Sequence, residues 1–221
     1  MSHTPETDIG DPDRDGRVEP DGPDAIRVIE RSTCFQGFFR MDKFRLVHRR
    51  HDGGWIEPID REVLMRGEAV AVLPYDPTTD RVVLLEQFRA GAYAADRPAW
   101  LTEIVAGIVD PGETVEAVAR REAVEEAGLD LLDLEKVAEF FSSPGGSSEI
   151  IHLYVARVAA PEGEALHGLD EEGEDIRVFT LPGAEAAALA TEGRCDNATT
   201  LIALLWFALN RDALRRRWSS P

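Results

Sequence analysis

Residues 114–127, TVEAVARREAVEEA, contain neither Gly nor Pro, and Asp110-Pro111-Gly112 and Gly128 bound them. A run of good helix formers between such breakers predicts a helix that stops at the glycine. Apolar strand-like stretches lie on both sides. WLTEIVAG precedes the helix, and EKVAEFFSS and EIIHLYVARV follow it around Pro144-Gly145-Gly146. A helix enclosed by strands must bury its apolar face on a sheet, which points to an α/β sandwich.

The flanking chain extends this pattern. AIRVIERS, GFFRMDKFRLVHR and WIEPI read as strand-like stretches separated by Gly37 and by the turn signal His51-Asp52-Gly53-Gly54. EVLMRGEAVAVLPY and RVVLLEQF read as two strands around the break Asp76-Pro77-Thr78-Thr79-Asp80. An acidic loop at 162–175 leads to strand DIRVFT, a short Ala-rich helix near 183–191 and a closing amphipathic helix from about Asn197. Residues 1–24 hold eight acids, two arginines and almost nothing apolar, so they are expected to be a disordered tail. The expected organisation is this tail, a small antiparallel β segment at 25–62 and the main α/β domain at 63–221, with about three helices.

Charge narrows the function. With 24 Lys+Arg against 42 Asp+Glu, the formal charge of −18 opposes binding to nucleic acid or to an anionic membrane surface. Such acidity suits a protein that gathers divalent cations, or one from a salty cytoplasm. Cys34 and Cys195 are too few for a disulfide framework. The opening MSHTPETDIGDPDRDG has neither a basic n-region nor an apolar h-region, and the longest apolar run, 201–209, is nine residues. The expectation is a soluble cytoplasmic chain.

The predicted helix carries Glu122, Glu125 and Glu126 on one face. Positions four apart lie about 40° from each other around the axis, and Glu125 widens the arc to about 100°. Like charges so placed repel, by about 0.2–0.5 kcal/mol per pair. Arg121 is placed to orient or partly neutralise Glu125. A hard dication such as Mg²⁺ or Mn²⁺ would remove the remaining repulsion. On the cluster alone, a solvated acidic face explains it equally well.

The spacing separates the two readings. From Gly107 to Leu129 the chain runs GIVDPGETVEAVARREAVEEAGL. It has Gly107, then Glu113 after five residues, Arg121-Glu122 after seven more, then Glu125-Glu126, Gly128 and Leu129. This pattern resembles the Nudix box at every invariant position, with Ala123 where a larger aliphatic residue is usual. The resemblance implies an α/β/α sandwich with a mixed sheet and Mg²⁺- or Mn²⁺-dependent hydrolysis of nucleoside diphosphate derivatives. Its metal ligands would be Glu122, Glu126 and the backbone carbonyl of Ala106.

Beyond the box, LLEQFRAGAY, TEIVAG, HGLDEEGEDIRV, DNATTLIALLWF and Pro144, fifteen residues past Leu129, resemble the ADP-ribose pyrophosphatases of this family. That likeness implies hydrolysis of ADP-ribose to AMP and ribose 5-phosphate. The acidic loop would supply the general base, Glu172 or, one residue out of register, Glu171, and a further metal ligand, Glu174. A carboxylate there could take the proton of an attacking water. Arg89 would contact the substrate phosphates, and Arg61 would reach the adenine from a partner subunit. Glu103, counted with the substrate-binding residues, and Glu113 would support the metal site, and Arg121 and Glu125 would be catalytic with the loop base. The likeness also implies a homodimer with exchanged N-terminal segments. Two alternatives stay open: a pyrophosphatase acting on another nucleoside diphosphate sugar, and a non-catalytic module that binds ADP-ribose.

Overall fold

The computed structural model describes residues 24–169 and 173–218, and the expected acidic tail therefore lies outside the described residues but for Asp24. The chain divides into two compact units, residues 1–65 and 66–221. In the first, β1 (Ile26–Gln36), β2 (Arg40–His48) and β3 (Ile59–Met65) form an antiparallel sheet in the order β1-β2-β3. Its buried Asp42 accepts hydrogen bonds from Arg31 and Thr33 and pairs with Arg40. No residue of β1 is buried.

The second unit is built on an eight-stranded mixed sheet. Its main path runs β10 (Ala165–His167), β11 (Ile176–Pro182), β5 (Arg81–Phe88), β4 (Glu68–Asp76), β9 (Ile150–Arg157) and β8 (Asp133–Phe141). The β4–β9 pair is parallel, and the other pairs are antiparallel. Strand alternation sends side chains to two cores. Val70, Val72, Val83, Leu85 and Tyr154 face α2 (Val115–Ala127) through Val118, Ala119, Ala123 and Ala127. Ala71, Leu73, Tyr75, Leu84 and Leu153 face α3 (Gly183–Thr191) and α4 (Ala198–Trp218) through Ala186, Ala190, Leu204 and Phe207. The expected α/β/α sandwich with a mixed sheet is thus present, preceded by the small antiparallel sheet. Among the described residues, no helix is long and apolar enough to cross a membrane.

Several local expectations change. WLTEIVAG is two strands, β6 (Trp100–Glu103) and β7 (Val105–Val109), joined at buried Ile104. The cause is tertiary: β4 and β5 pair with each other only at Tyr75–Val82 and Asp76–Arg81, beside their turn. Beyond it they part, and residues 100–109 pair first with β5 and then with β4. EVLMRGEAVAVLPY likewise splits at Arg66-Gly67 into β3 and β4, one in each unit. WIEPI is not a strand. Trp55 makes an isolated bridge to Arg49, and Pro58, which has no N–H, directly precedes β3. The short helix α1 (Ala90–Ala94) and the three-residue strand β10 carried no sequence pattern of their own.

Candidate active site

Helix α2 starts where Thr114 caps it, its hydroxyl accepting from the Ala117 N–H at 3.2 Å. It ends at Gly128, whose φ of 63° is left-handed and suits glycine. The Gly128 and Leu129 N–H groups donate to the carbonyls of Val124 and Ala123. These two ends set the phase of the helix over β7 and turn its acidic face towards Ala106 and Gly107.

Glu126 lies inside the protein, 3% exposed. Its Oε2 accepts from the Ala106 N–H at 2.9 Å. Burial pushes its carboxyl up to about 8, against that hydrogen bond, and the neighbouring charges of Glu122 and Glu174 push the same way. Glu122 is raised to about 7, first by burial and then by Glu125 and Glu174, while Arg121 opposes the shift. A Cβ added to Gly107 would stand 2.0 Å from Glu122 Oε1 and 2.2 Å from its Cδ. Only glycine lets the strand pass this carboxylate so closely.

Arg121 organises the outer edge. Its Nη1 lies 2.9 Å from Glu122 and 2.8 Å from Glu125, and its Nε 3.7 Å from Glu113. It therefore serves three carboxylates, where the sequence suggested chiefly Glu125. Glu113 also accepts from the Asp110 N–H at 3.2 Å, which closes the loop before the helix. Gly168 is tied to the helix C-terminus, its N–H donating to the Glu125 carbonyl at 3.4 Å. The Glu174 N–H donates to the Leu169 carbonyl, and its Oε2 accepts from the Leu169 N–H. These contacts bring Glu174 close enough to act on the charges of Glu122 and Glu126. Glu171 and Glu172 lie outside the described residues.

Arg89 follows β5 and has a well-fixed backbone. Its N–H donates to the Ala99 carbonyl, and its own carbonyl accepts from Ala92 and Tyr93. Its guanidinium grips Glu103, with Nη2 2.6 Å from Oε2 and Nε 3.1 Å from Oε1. Glu126 and Glu174 also act on the Arg89 charge, so the arginine stands beside the acidic cluster. Two residues without an assigned role in the sequence complete this corner: Gln87 and Asn197 both donate to Glu103. Asn197 precedes a helix in the manner of a cap, but its contact with a residue 94 positions earlier carries no local signal. Arg61 belongs to the first unit, on β3, where its Nη1 donates to the Asp60 carbonyl.

The donor chemistry fits a hard dication. Glu126 is held away from water and Glu122 partly so, with only one N–H and one arginine as partners, and carboxylate oxygens are the ligands that Mg²⁺ and Mn²⁺ prefer. Among the described residues, no three acidic, His or Cys side chains form a metal cage by themselves. Any ion here would draw on backbone oxygen, water or substrate as well.

Comparison with known proteins agrees with this geometry. A NUDIX domain matches residues 65–195. The chain is 43% identical over 198 residues to the ADP-ribose pyrophosphatase of Escherichia coli K12, covering 90% of this chain and 95% of that protein. It is 38% identical to the ADP-ribose pyrophosphatase of Haemophilus influenzae, covering 87% and 90%. It is 33% identical to the GDP-mannose pyrophosphatase of Pectobacterium atrosepticum, covering 83% and 97%. A crystal structure of an ADP compounds hydrolase shares the fold, with a TM-score of 0.67 at 23% identity over 87% of this chain and 96% of that one. With the box glycines, the adjoining Glu122 and Glu126 and these matches in agreement, the chain belongs to the Nudix family.

Proposed function

We propose that the chain hydrolyses the diphosphate of ADP-ribose to AMP and ribose 5-phosphate in the presence of Mg²⁺ or Mn²⁺. The observation that carries this reading is the mutually repelling pair of buried Glu126 and half-buried Glu122 beneath Gly107, with Arg89 alongside. The ADP-ribose pyrophosphatases matched at 43% and 38% identity support this substrate over that of the relatives named GDP-mannose pyrophosphatase. Glu122, Glu126, Glu174 and the Ala106 carbonyl would hold the dication, which would neutralise the diphosphate oxygens and orient water.

The remaining roles fall to the chain's own side chains. Arg89 binds phosphate oxygens, for which a planar guanidinium is well shaped. Arg121 holds Glu122, Glu125 and Glu113 in register, so that the acidic face keeps its shape as its charge changes. A loop glutamate, Glu172 or its neighbour Glu171, takes the proton of the attacking water. The chain works as a cytoplasmic homodimer that exchanges its N-terminal segment, residues 25–62, so that Arg61 reaches the partner's adenine subsite.

The test is hydrolysis of ADP-ribose, ADP-glucose, GDP-mannose and an oxidised dGTP with Mg²⁺. ADP-ribose is expected to give the highest kcat/KM. A better nucleoside triphosphate would overturn the diphosphate reading, and better GDP-mannose would overturn the substrate. Tight ADP-ribose binding without turnover would make the chain a binding module.

A further inference from the structure

Glu103 is 3% exposed, and each of its oxygens is engaged more than once. Oε1 accepts from Arg89 Nε at 3.1 Å and from Asn197 Nδ2 at 2.9 Å. Oε2 accepts from Arg89 Nη2 at 2.6 Å, from Arg89 Nε at 3.0 Å and from Gln87 Nε2 at 3.3 Å. A carboxylate has about four acceptor positions, so Glu103 is saturated by protein donors. That disfavours a direct part in metal binding and makes it an anchor. Among the described residues, Arg89 Nη1 has no hydrogen-bond partner, and 43% of the side chain is exposed. One edge of the guanidinium is thus committed to Glu103, and the Nη1 edge is not.

Asn197 holds the anchor from a distant part of the chain, 94 residues later. Its Oδ1 accepts from the Thr200 N–H at 2.9 Å and its carbonyl from the Leu201 N–H, which makes it the N-cap of α4. One amide therefore caps the helix with its oxygen and holds Glu103 with its nitrogen. The 21-residue helix it caps is packed into the core through Leu204 and Phe207. Asn197 is thereby held by a rigid element, and its reach sets where Glu103 points.

We propose that Asn197 is a positioning residue of the phosphate subsite, aligning Arg89 through Glu103. This rests on the reading of Arg89 as a phosphate ligand in a diphosphate hydrolase. Two variants separate positioning from capping, because Ser and Asp both keep an acceptor for the Thr200 N–H. Asn197→Ser is too short to reach Glu103, and Asn197→Asp sets a carboxylate against it. Expected are losses in kcat/KM of about 10-fold for Ser and about 100-fold for Asp, carried mainly by KM, with a nearly unchanged Tm for Ser and a lower Tm for Asp, whose carboxylate repels that of Glu103.

In an Arg89→Ala background, Asn197→Ser should change kcat/KM by less than about twofold, because the element it aligns is gone. Exchange of the Arg89 Nε–H, followed by ¹⁵N NMR of the full chain, should accelerate in Asn197→Ser. An unchanged kcat/KM in Asn197→Ser, or an equal loss with and without Arg89, overturns the proposal. If the wild type prefers GDP-mannose, the substrate reading fails, and the same comparison on GDP-mannose still decides the role of Asn197. If the wild type turns over nothing, Nε–H exchange decides it, and an unchanged rate overturns it.

Discussion

Glu126→Gln should make the metal-free protein more stable while abolishing its work. In the fold the Glu126 carboxyl is raised from 4.5 to about 8, with burial the largest cause. A carboxyl raised in the fold stabilises it fully below the unfolded value, and that stability is lost as pH rises towards the folded value. At about 1.4 kcal/mol per pH unit, the full cost of ionising Glu126 in the fold is about 5 kcal/mol above pH 8. The charges of Glu122 and Glu174 contribute part of the shift, and Glu122, itself raised to about 7, can take up the proton in place of Glu126, so about 3 kcal/mol should be observable. Glutamine stays neutral and its Oε1 still accepts from the Ala106 N–H.

In EDTA, thermal unfolding of the two proteins should nearly coincide at pH 5 and diverge as pH rises. At pH 8 the variant should melt about 6–12 °C higher, using about 2–4 °C per kcal/mol for a chain of this size. Added Mg²⁺ should raise the wild-type Tm at pH 8 and leave that of the variant nearly unchanged, because a ligand stabilises only the state that binds it. Parallel melting curves from pH 5 to pH 8 in EDTA would refute the argument that Glu126 is buried at the expense of stability. An equal Mg²⁺ shift in both proteins would refute its place among the metal ligands.

Two further substitutions test the shape of the site. Gly107→Ala puts a Cβ 2.0 Å from Glu122 Oε1, so the side chain must swing away. Activity should fall at least about 100-fold while stability changes by less than about 2 kcal/mol, measured by steady-state kinetics and urea unfolding. Gly128→Ala strains a residue at φ 63° and places its Cβ 2.7 Å from His167 Cε1. Urea unfolding should show a loss of about 1–3 kcal/mol, with activity falling as the segment that carries Glu174 shifts.

The sequence by itself determined the features that depend on neighbours in the chain. Helix α2 ends at Gly128 as predicted, because propensity, capping and the left-handed stop are local effects. The common face of Glu122 and Glu126 follows from helical periodicity alone. Only the tertiary structure decided how deep those carboxylates lie and what charge they meet, since that depends on β7 beneath them and on Glu174 nearby. The split of residues 100–109 was likewise invisible along the chain, because it arises where β4 and β5 part. The Asn197–Glu103 contact spans 94 residues, and side-chain hydrogen bonds between distant elements leave no periodic trace in sequence. Short-range chemistry thus chose the donors, and long-range packing set their solvation, on which their charge and reactivity depend.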